Sequence, residues 1–266
     1  MAEKRLLSLV VSVYNEEAAL PLYYRAVQQV LESCGWEHEL IFVNDGSRDG
    51  SRELLRKLAE RDARVRVISF SRNFGHEAAM IAGIDAAAGS AVVCMDADLQ
   101  HPVESIPELL RLFSEGYDVI SMVRTENRSA GIIKNISSSG FYAVMNAMSG
   151  TDFQKNASDF FGLSARAAAV LRSDYREKVR FLRGYVQSLG FRSTVLRYAA
   201  GERAAGHSKY SIRKLFRFSM NTIMSFSELP LRLGIYAGVG SALLGMVILV
   251  YSLVMKVKNG APDGYT

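Results

Sequence analysis

The strongest constraint on the fold is the regular alternation of short β-rich runs with helical stretches in the first 123 residues. Five runs rich in valine and isoleucine predict strands at Leu6–Val13, Glu39–Asn44, Arg64–Phe70, Ala91–Met95 and Tyr117–Val123. Helical patterns separate them near residues 17–33, 50–61, 75–88 and 103–115. Strands that alternate with helices of this length are typical of an α/β fold with a doubly wound, mostly parallel sheet.

The sequence between this array and residue 211 is less regular. Residues 130–149 and 164–189 have helical patterns, and Arg192–Tyr198 is predicted to be a strand. Residues 199–211 are rich in glycine and small residues and are predicted to form a mobile loop. Residues 1–211 together are predicted to form one domain that faces water.

After residue 211 the sequence becomes amphipathic and then entirely uncharged. Residues 233–254 form a run of 22 residues without any charge, and roughly 20 apolar residues are enough to cross the hydrocarbon core of a bilayer. We therefore predict a transmembrane helix at 233–254. Residues 212–232 have helical spacing, with Ile212, Leu215 and Phe216 on one face and basic residues on the other. They are predicted to lie in the membrane interface, and the alternative is that they pack against the domain.

The net charge indicates what kind of partner the chain binds, and its cysteines indicate the cellular compartment. The formal charge of +5 favours anionic partners such as nucleotides or lipid headgroups. Nucleic acid is not expected, because the basic residues form no recognised nucleic-acid-binding module. Cys34 and Cys94 lack metal-ligand spacing and are interpreted as reduced thiols, which suits the cytoplasm. Basic residues are in excess on the domain side of the apolar run, which also favours a cytoplasmic domain on the plasma membrane.

Polar clusters follow four of the predicted strands: Tyr14-Asn15-Glu16, Asn44-Asp45-Gly46-Ser47, Ser71-Arg72-Asn73 and Asp96-Ala97-Asp98. The carboxyl ends of parallel strands meet at one edge of a sheet, where ligands bind, so these clusters predict a single site. Neither a dinucleotide fingerprint nor a Walker phosphate loop is present. Hydride transfer and nucleotide hydrolysis therefore lose support.

The cluster after the fourth strand predicts a metal site. Asp96 and Asp98 stand at alternate positions of an extended chain and point the same way, and Gln100 can add a neutral oxygen. Oxygen ligands of this kind suit Mg²⁺ or Mn²⁺. Asp45 has two interpretations, either as a residue of an ordinary βα turn or as a carboxylate that recognises a nucleobase or ribose. His76 and His101 lack ligand spacing and are interpreted as lying on the surface or behind the site.

Four motifs together resemble the family 2 glycosyltransferases of GT-A fold: VYNEE (13–17), VNDGSRDG (43–50), SRNFGHEAA (71–79) and DADLQHP (96–102). The later segments RFLRG (180–184), R-x-x-G-x-S-K-Y (203–210) and SFSELPLRL (225–233) resemble the polyprenyl-phosphate glycosyltransferases, the bacterial relatives of dolichol-phosphate mannose synthase. The resemblance covers essentially the whole chain. It implies transfer of a sugar, with glucose as the first choice, from a nucleotide diphosphate such as UDP onto undecaprenyl or another polyprenyl phosphate.

The resemblance also implies roles for individual residues. The nucleoside would be bordered by Tyr14, Glu16, Asp45 and Asp96, and the cation would be held by Asp96, Asp98 and Gln100. Phosphates of the donor or the lipid would meet Arg124, Arg128, Lys134 and Ser208. The catalytic residues would be Asp98, Asp159, Arg203 and Lys209, with Asp159 beside the reacting sugar and Arg203, Ser208 and Lys209 on a loop over the diphosphate.

The chain departs from the family pattern at two positions. Members commonly have an arginine where this chain has Phe161, which bears on the acceptor side of the site. An aromatic residue after RFLRG is often tryptophan in members, whereas this chain has Ser188 near that position. Members usually carry two transmembrane helices and several self-associate. We therefore expect residues 255–266 to be a polar tail that precedes a second transmembrane helix in a longer chain, and a homo-oligomer is possible.

Two other function classes remain at this stage. A family 2 enzyme could act on the hydroxyl of a saccharide or lipid, although the Q-x-x-R-W motif of processive synthases is absent, since the only tryptophan is Trp36. A non-catalytic membrane scaffold could keep the fold, but loss of the metal carboxylates would then be expected, and Asp96 and Asp98 are both present.

Overall fold

The computed structural model of the protein describes residues 5–125, 157–176, 181–199 and 229–259. Its seven strands are β1 Leu6–Val13, β2 Glu37–Asn44, β3 Val65–Ser69, β4 Ala91–Asp96, β5 Val119–Arg124, β6 Ala157–Ser164 and β7 Ser193–Tyr198. The helices in the same ranges are α1 Leu20–Ser33, α2 Ser51–Arg61, α3 His76–Ala86, α4 Ile106–Ser114, α5 Ala165–Asp174, α6 Leu182–Ser188 and α7 Leu229–Asn259. A 3₁₀ turn at Val103–Ser105 precedes α4.

The strands form one sheet in the order β3-β2-β1-β4-β6-β5-β7. β1 pairs in parallel with β2 and β4, β2 with β3, and β5 with β7. Only β6 runs against its neighbours, β4 and β5. The predicted α/β class with a mostly parallel sheet is confirmed, and all six strands predicted from the sequence are present with shifts of one or two residues at their ends.

β6 is the element that the sequence interpretation missed. Residues 157–163, which form most of β6, match no element predicted from the sequence, whereas the predicted helical region 164–189 contains the helices α5 and α6. The apolar run of β6 is short and lacks a clear period, so its strand character depends on long-range pairing with β4 and β5. Gly162 permits the packing beneath it, because an added Cβ would lie 2.8 Å from Cζ of Phe113.

Two apolar layers cover the sheet because successive strand side chains point to opposite faces. One layer packs α1, α2 and α4 against one face of the sheet. The other layer packs α3, α5 and α6 against the opposite face. The near-continuous burial of β1 follows from this arrangement, since both of its faces are covered. The layer that contains α3 and α6 matters for the site, because both helices begin at the edge where the polar clusters lie.

The C-terminal helix α7 is apolar and does not contribute to this core. A stretch from Leu231 to Lys258 is long and apolar enough to cross a membrane, with a mean hydropathy of 2.1, and none of its most apolar window is buried by the rest of the described chain. The predicted transmembrane run, 233–254, lies within it. Residues 255–259, expected in the polar tail, are helical. Residues 212–228 of the expected interface helix lie outside the described residues.

Close contact between α3 and β1 depends on Gly83. A Cβ added at this position would lie 2.2 Å from Cγ1 of the buried Val10 and 3.2 Å from Cγ2 of Val43. Neither neighbour is a flexible side chain that can move aside. The absence of a side chain at Gly83 therefore sets the distance between α3 and the sheet, and with it the position of the first turn of α3.

We expect Gly83→Ala to lower the free energy of unfolding by about 1–3 kcal/mol through overpacking. Urea titration of detergent-purified protein, followed by near-ultraviolet circular dichroism, measures this change. Val10→Ala removes the clashing methyl group, so the double variant Gly83→Ala/Val10→Ala should lose less stability than the sum of the two single variants. Additive losses would contradict the contact as the cause.

Candidate active site

The polar strand ends lie side by side along one edge of the sheet. In the parallel ladders Val13 is in register with Asn44, and Ser12 is in register with Asp96. The segments that follow β1, β2 and β4 therefore leave the sheet at the same level, and the segment after β3 lies next to that of β2. The edge predicted from the sequence to hold the site is thus formed by neighbouring strands.

Hydrogen bonds lock the loop after β1 to the loop after β2. Asn15, with a φ of 57°, accepts a hydrogen bond from the backbone N–H of Arg48 at 2.8 Å, and its own N–H donates to Oγ of Ser47 at 3.0 Å. The Glu17 carboxylate accepts from the N–H of Gly50 at 2.9 Å. Asparagine tolerates the left-handed backbone region better than most residues. The two loops therefore form one preorganised unit.

Asp45 connects that unit to the loop before α3. Its buried carboxylate accepts hydrogen bonds from the backbone N–H groups of Phe74 at 2.6 Å and Gly75 at 3.0 Å. Gly46 has a φ of +66°, and a Cβ there would lie 2.3 Å from the backbone carbon of Arg72. Within the described contacts, Asp45 thus positions the start of α3. Its predicted role beside the nucleoside stays a prediction, whereas this structural role was missed.

Asp96 lies between two histidines. The hydroxyl of Ser12 donates to Oδ1 of Asp96 at 3.0 Å, and Nδ1 of His76 lies 2.8 Å from that hydroxyl and 3.3 Å from Oδ1. Because the hydroxyl proton goes to Asp96, Nδ1 of His76 must be the donor to the Ser12 oxygen. On the other side, the N–H of Asp96 donates to Nδ1 of the buried His101 at 3.0 Å. Both histidines therefore belong to the site's immediate surroundings.

The two histidines have different electrostatic environments. Burial lowers the pKa of His101 even though Asp96 and Asp98 oppose this change, and its ring stacks on Phe160 with centroids 5.1 Å apart. Removal from water would also lower the pKa of His76, but the carboxylates of Asp96 and Asp159 act against it and the net direction is upward. His101 is therefore a neutral acceptor that supports Asp96, whereas the site favours the imidazolium form of His76.

Asp98, Gln100 and Arg124 come together at the ends of β4 and β5. The N–H of Gln100 donates to Oδ1 of Asp98 at 3.0 Å, and Nη2 of Arg124 donates to Oε1 of Gln100 at 2.9 Å. Arg124 also donates through Nε to the hydroxyl of Tyr198 at 3.1 Å. The amide oxygen that we predicted as a metal ligand is thus engaged by Arg124 in this arrangement. The structure brings these three predicted residues to one place without testing their roles.

Asp159 on β6 lies between two cations from other elements. Its Oδ1 is 3.5 Å from Nε of Arg183 on α6, and its Oδ2 is 3.7 Å from Nε2 of His76 on α3. Burial would raise the pKa of Asp159, but Arg183 and His76 lower it, and the net direction is downward. Asp159 is consequently a charged carboxylate and a weak base at neutral pH.

Glu77, the second residue of α3, is a further carboxyl group next to this pair. One of its oxygens accepts a hydrogen bond from the backbone N–H of Leu182 at the start of α6. Burial, followed by the nearby negative charge of Asp159, raises the pKa of Glu77 to about 7. Its signal in the sequence is weak, namely an acidic residue in the first turn of a helix, and nothing local indicates a partner 105 residues away.

The remaining predicted residues are placed as follows. Tyr14 follows β1 and is 43% exposed at the edge of the site, and Glu16 accompanies it on the same loop. Phe161 is buried in the layer of α3 and α5, and the arginine beside Asp159 is Arg183 on α6. Ser188 ends α6 and donates to the carbonyl of Tyr185. Five predicted residues lie outside the described part of the chain: Arg128, Lys134, Arg203, Ser208 and Lys209.

The side chains at this edge can be compared with the ligands that a divalent cation needs. Among the described residues, no group of three or more histidine, cysteine or acidic side chains is gathered as a metal centre. Asp96 and Asp98 nevertheless offer carboxylate oxygens at one rim, and these are ligand types that Mg²⁺ and Mn²⁺ accept. Mg²⁺ is often held by one or two protein carboxylates together with phosphate oxygens of the substrate. The residues present fit a cation that binds together with a diphosphate.

The chain is similar in sequence to known glycosyltransferases. The sequence pattern of Glycosyl transferase family 2 matches residues 8–172. The chain is 40% identical to the glycosyltransferase YkcC of Bacillus subtilis strain 168 over 92% of this chain and 76% of that protein. It is 34% identical to the bactoprenol glucosyl transferase of Shigella phage SfV over 96% of this chain and 83% of that protein.

A solved structure supports the same fold. Glucosyl-3-phosphoglycerate synthase from Mycobacterium tuberculosis, in complex with Mn²⁺, UDP-glucose and phosphoglyceric acid, superposes with a TM-score of 0.54. The alignment covers 82% of this chain and 77% of that structure at 18% identity, which is evidence for a shared fold only. With the family pattern spanning β1 to α5, the chain belongs to glycosyl transferase family 2.

Proposed function

We propose that this protein transfers glucose from UDP-glucose to undecaprenyl phosphate, with inversion at the anomeric carbon. The observation that carries the proposal is that Asp96 and Asp98 lie at the same edge of the sheet as the Asp159–Arg183 pair. It occurs in a chain that is 34% identical, over 96% of its length, to a bactoprenol glucosyl transferase. The reaction needs a site for a nucleotide diphosphate beside a site for a lipid phosphate, and the rim offers candidates for both.

The donor side of the site would bind UDP-glucose through the rim of β1, β2 and β4. Asp96 and Asp98, with Gln100, would hold Mg²⁺ or Mn²⁺, which when bound neutralises the negative charge that develops on the departing diphosphate. Arg124 donates to Gln100 and would meet a phosphate oxygen as well. Tyr14 and Asp45 would border the nucleoside. Glucosyl-3-phosphoglycerate synthase, which shares the fold, is solved with Mn²⁺ and UDP-glucose, a metal and a donor of the kind proposed here.

The acceptor side needs no strong base. A phosphate monoester has its second pKa near 6, roughly, and is already an anion at neutral pH. Its oxygen can attack the anomeric carbon directly while the bond to the diphosphate breaks and UDP leaves with the electron pair. Asp159 is held as a carboxylate by Arg183 and His76, which lower its pKa, so it would orient a sugar hydroxyl or the incoming phosphate. Arg183 would offset the charge of that phosphate.

A membrane anchor formed by α7 is consistent with a lipid phosphate as the acceptor. The apolar stretch of α7 from Leu231 to Lys258 buries none of its most apolar window against the described domain. A polyprenyl chain lies in the bilayer with its phosphate at the surface, so an enzyme anchored by α7 would meet the acceptor at the correct depth. We place the catalytic domain on the cytoplasmic side of the plasma membrane, because basic residues are in excess before the apolar run.

The reaction is tested with detergent-purified protein, undecaprenyl phosphate, Mg²⁺ or Mn²⁺ and a panel of nucleotide sugars, with the lipid product read by mass spectrometry. We expect one glucosylated lipid from UDP-glucose that is lost on chelation. Asp98→Ala should lower turnover by about 10²–10³-fold, the usual loss when one group that stabilises developing charge is removed. Asp174→Ala, at the exposed end of α5, is the matched control and should retain turnover.

Other results would redirect the assignment. Glucosylation of a saccharide or lipid hydroxyl, without lipid phosphate product, would favour a different family 2 acceptor. Turnover that survives both chelation and Asp98→Ala would contradict the metal assignment. A folded protein that binds UDP but makes no product from any donor or acceptor would indicate a scaffold.

The role of Asp159 is tested by Asp159→Asn. We expect its kcat to fall by less than about tenfold, because the amide can still orient a hydroxyl or phosphate, whereas loss of a general base costs about 10²–10⁴-fold. The acidic limb of the kcat/KM profile should stay near the acceptor pKa in both proteins. A loss in the larger range, together with disappearance of that limb, would show instead that Asp159 removes a proton.

A further inference from the structure

Glu77 makes a contact that joins two distant parts of the chain. It is the second residue of α3, and its carboxyl group accepts a hydrogen bond from the backbone N–H of Leu182, the first residue of α6. α3 and α6 lie in the same layer over the sheet, where residues of both helices belong to one buried cluster. Glu77 therefore fixes the beginning of α6 relative to the beginning of α3.

The N–H of Leu182 requires such an acceptor. The first N–H groups of a helix have no partner within the helix, and a side chain just before the helix usually satisfies one of them. The residue at that position is Phe181, whose side chain has no acceptor atom and makes no cap. Glu77 replaces this local cap with an oxygen from another helix.

The next residue along α6 connects this contact to the site. Arg183 directs Nε to within 3.5 Å of Oδ1 of Asp159, and its Nη1 donates to the carbonyl oxygen of Ala157 at 3.2 Å. Both contacts lie on β6. The guanidinium keeps this double contact with β6 only while the first turn of α6 stays in place, and Glu77 contacts that turn from α3.

We propose that Glu77 is a positioning residue: by accepting the N–H of Leu182 it fixes Arg183 against Asp159 without touching the substrate. The kinetic consequence rests on the proposed function, while the structural consequence does not. The raised pKa of Glu77, about 7 because of burial and the charge of Asp159, is compatible with this role. A neutral carboxyl group and a carboxylate both keep an oxygen that can accept the N–H.

The proposal predicts different results for three substitutions of Glu77. Glu77→Gln keeps an acceptor oxygen at the same distance, Glu77→Asp keeps the charge but shortens the side chain, and Glu77→Ala removes both. We expect hydrogen–deuterium exchange of the peptide covering residues 182–188 to rise at least tenfold in the Ala and Asp variants and to stay near wild type in Glu77→Gln. Glu53→Ala, in the exposed first turn of α2, is the matched control and should leave this peptide unchanged.

The kinetic test uses the lipid-product assay. Glu77→Ala should lower kcat about tenfold with the donor KM within twofold, since a small misplacement of a catalytic group can reduce the rate by one to two orders of magnitude. Glu77→Gln should restore kcat to within about threefold of wild type. In the Arg183→Ala background, Glu77→Ala should reduce kcat by less than twofold, because its effect acts through Arg183.

Each contrary result is decisive. Unchanged exchange in Glu77→Ala overturns the tether, and equal damage in Glu77→Gln and Glu77→Ala shows that charge rather than the hydrogen bond matters. Additive losses in the double variant show that Glu77 does not act through Arg183. Exchange is measured without substrates, so it decides the tether even if the wild-type protein forms no lipid product, the result that would refute the proposed function. Thermal unfolding and UDP binding confirm that each variant is folded.

Discussion

The site depends on the in-register parallel pairing of β1 with β2 on one side and β4 on the other. The backbone hydrogen bonds of these ladders, together with burial on both faces of β1, leave little freedom for a shift along the strands. A slip of one residue would turn every apolar side chain of β1 to the wrong face. This register places Ser12 beside Asp96 and ends the strands at one level, so that the loops after β1, β2 and β3 can be joined by Asn15 and Asp45.

Charge alternation organises the groups above this edge. Asp96, His76, Asp159 and Arg183 follow one another as carboxylate, imidazole, carboxylate and guanidinium, contributed by β4, α3, β6 and α6. Asp159 has Arg183 and His76 within about 4 Å, and both lower its pKa. Preorganised charge is usually the largest single contribution when an enzyme stabilises a transition state in which charge develops.

β6 connects β4 to β5 within the sheet. Because it runs antiparallel between β4 and β5, it carries Asp159 into the space next to β4, where Asp96 and Asp98 lie. The same insertion moves β5 one strand further out, and Arg124 reaches back to Gln100 across that distance. The first turn of α3 closes the arrangement, since His76 contacts the β4 side while Glu77 contacts α6.

The amino-acid sequence by itself determined the layered α/β fold, the polar strand ends, the carboxylates Asp96 and Asp98 and the apolar C-terminal helix. Each of these features follows from a local pattern of hydrophobic period, composition or motif. Only the tertiary structure decided that β6 is a strand, that Phe161 is buried, that Asp45 holds the start of α3 and that His76 and Glu77 join the site. These features arise from contacts between residues 29 to 105 positions apart. Local patterns carry no information about such contacts, because packing of the whole chain chooses the partner.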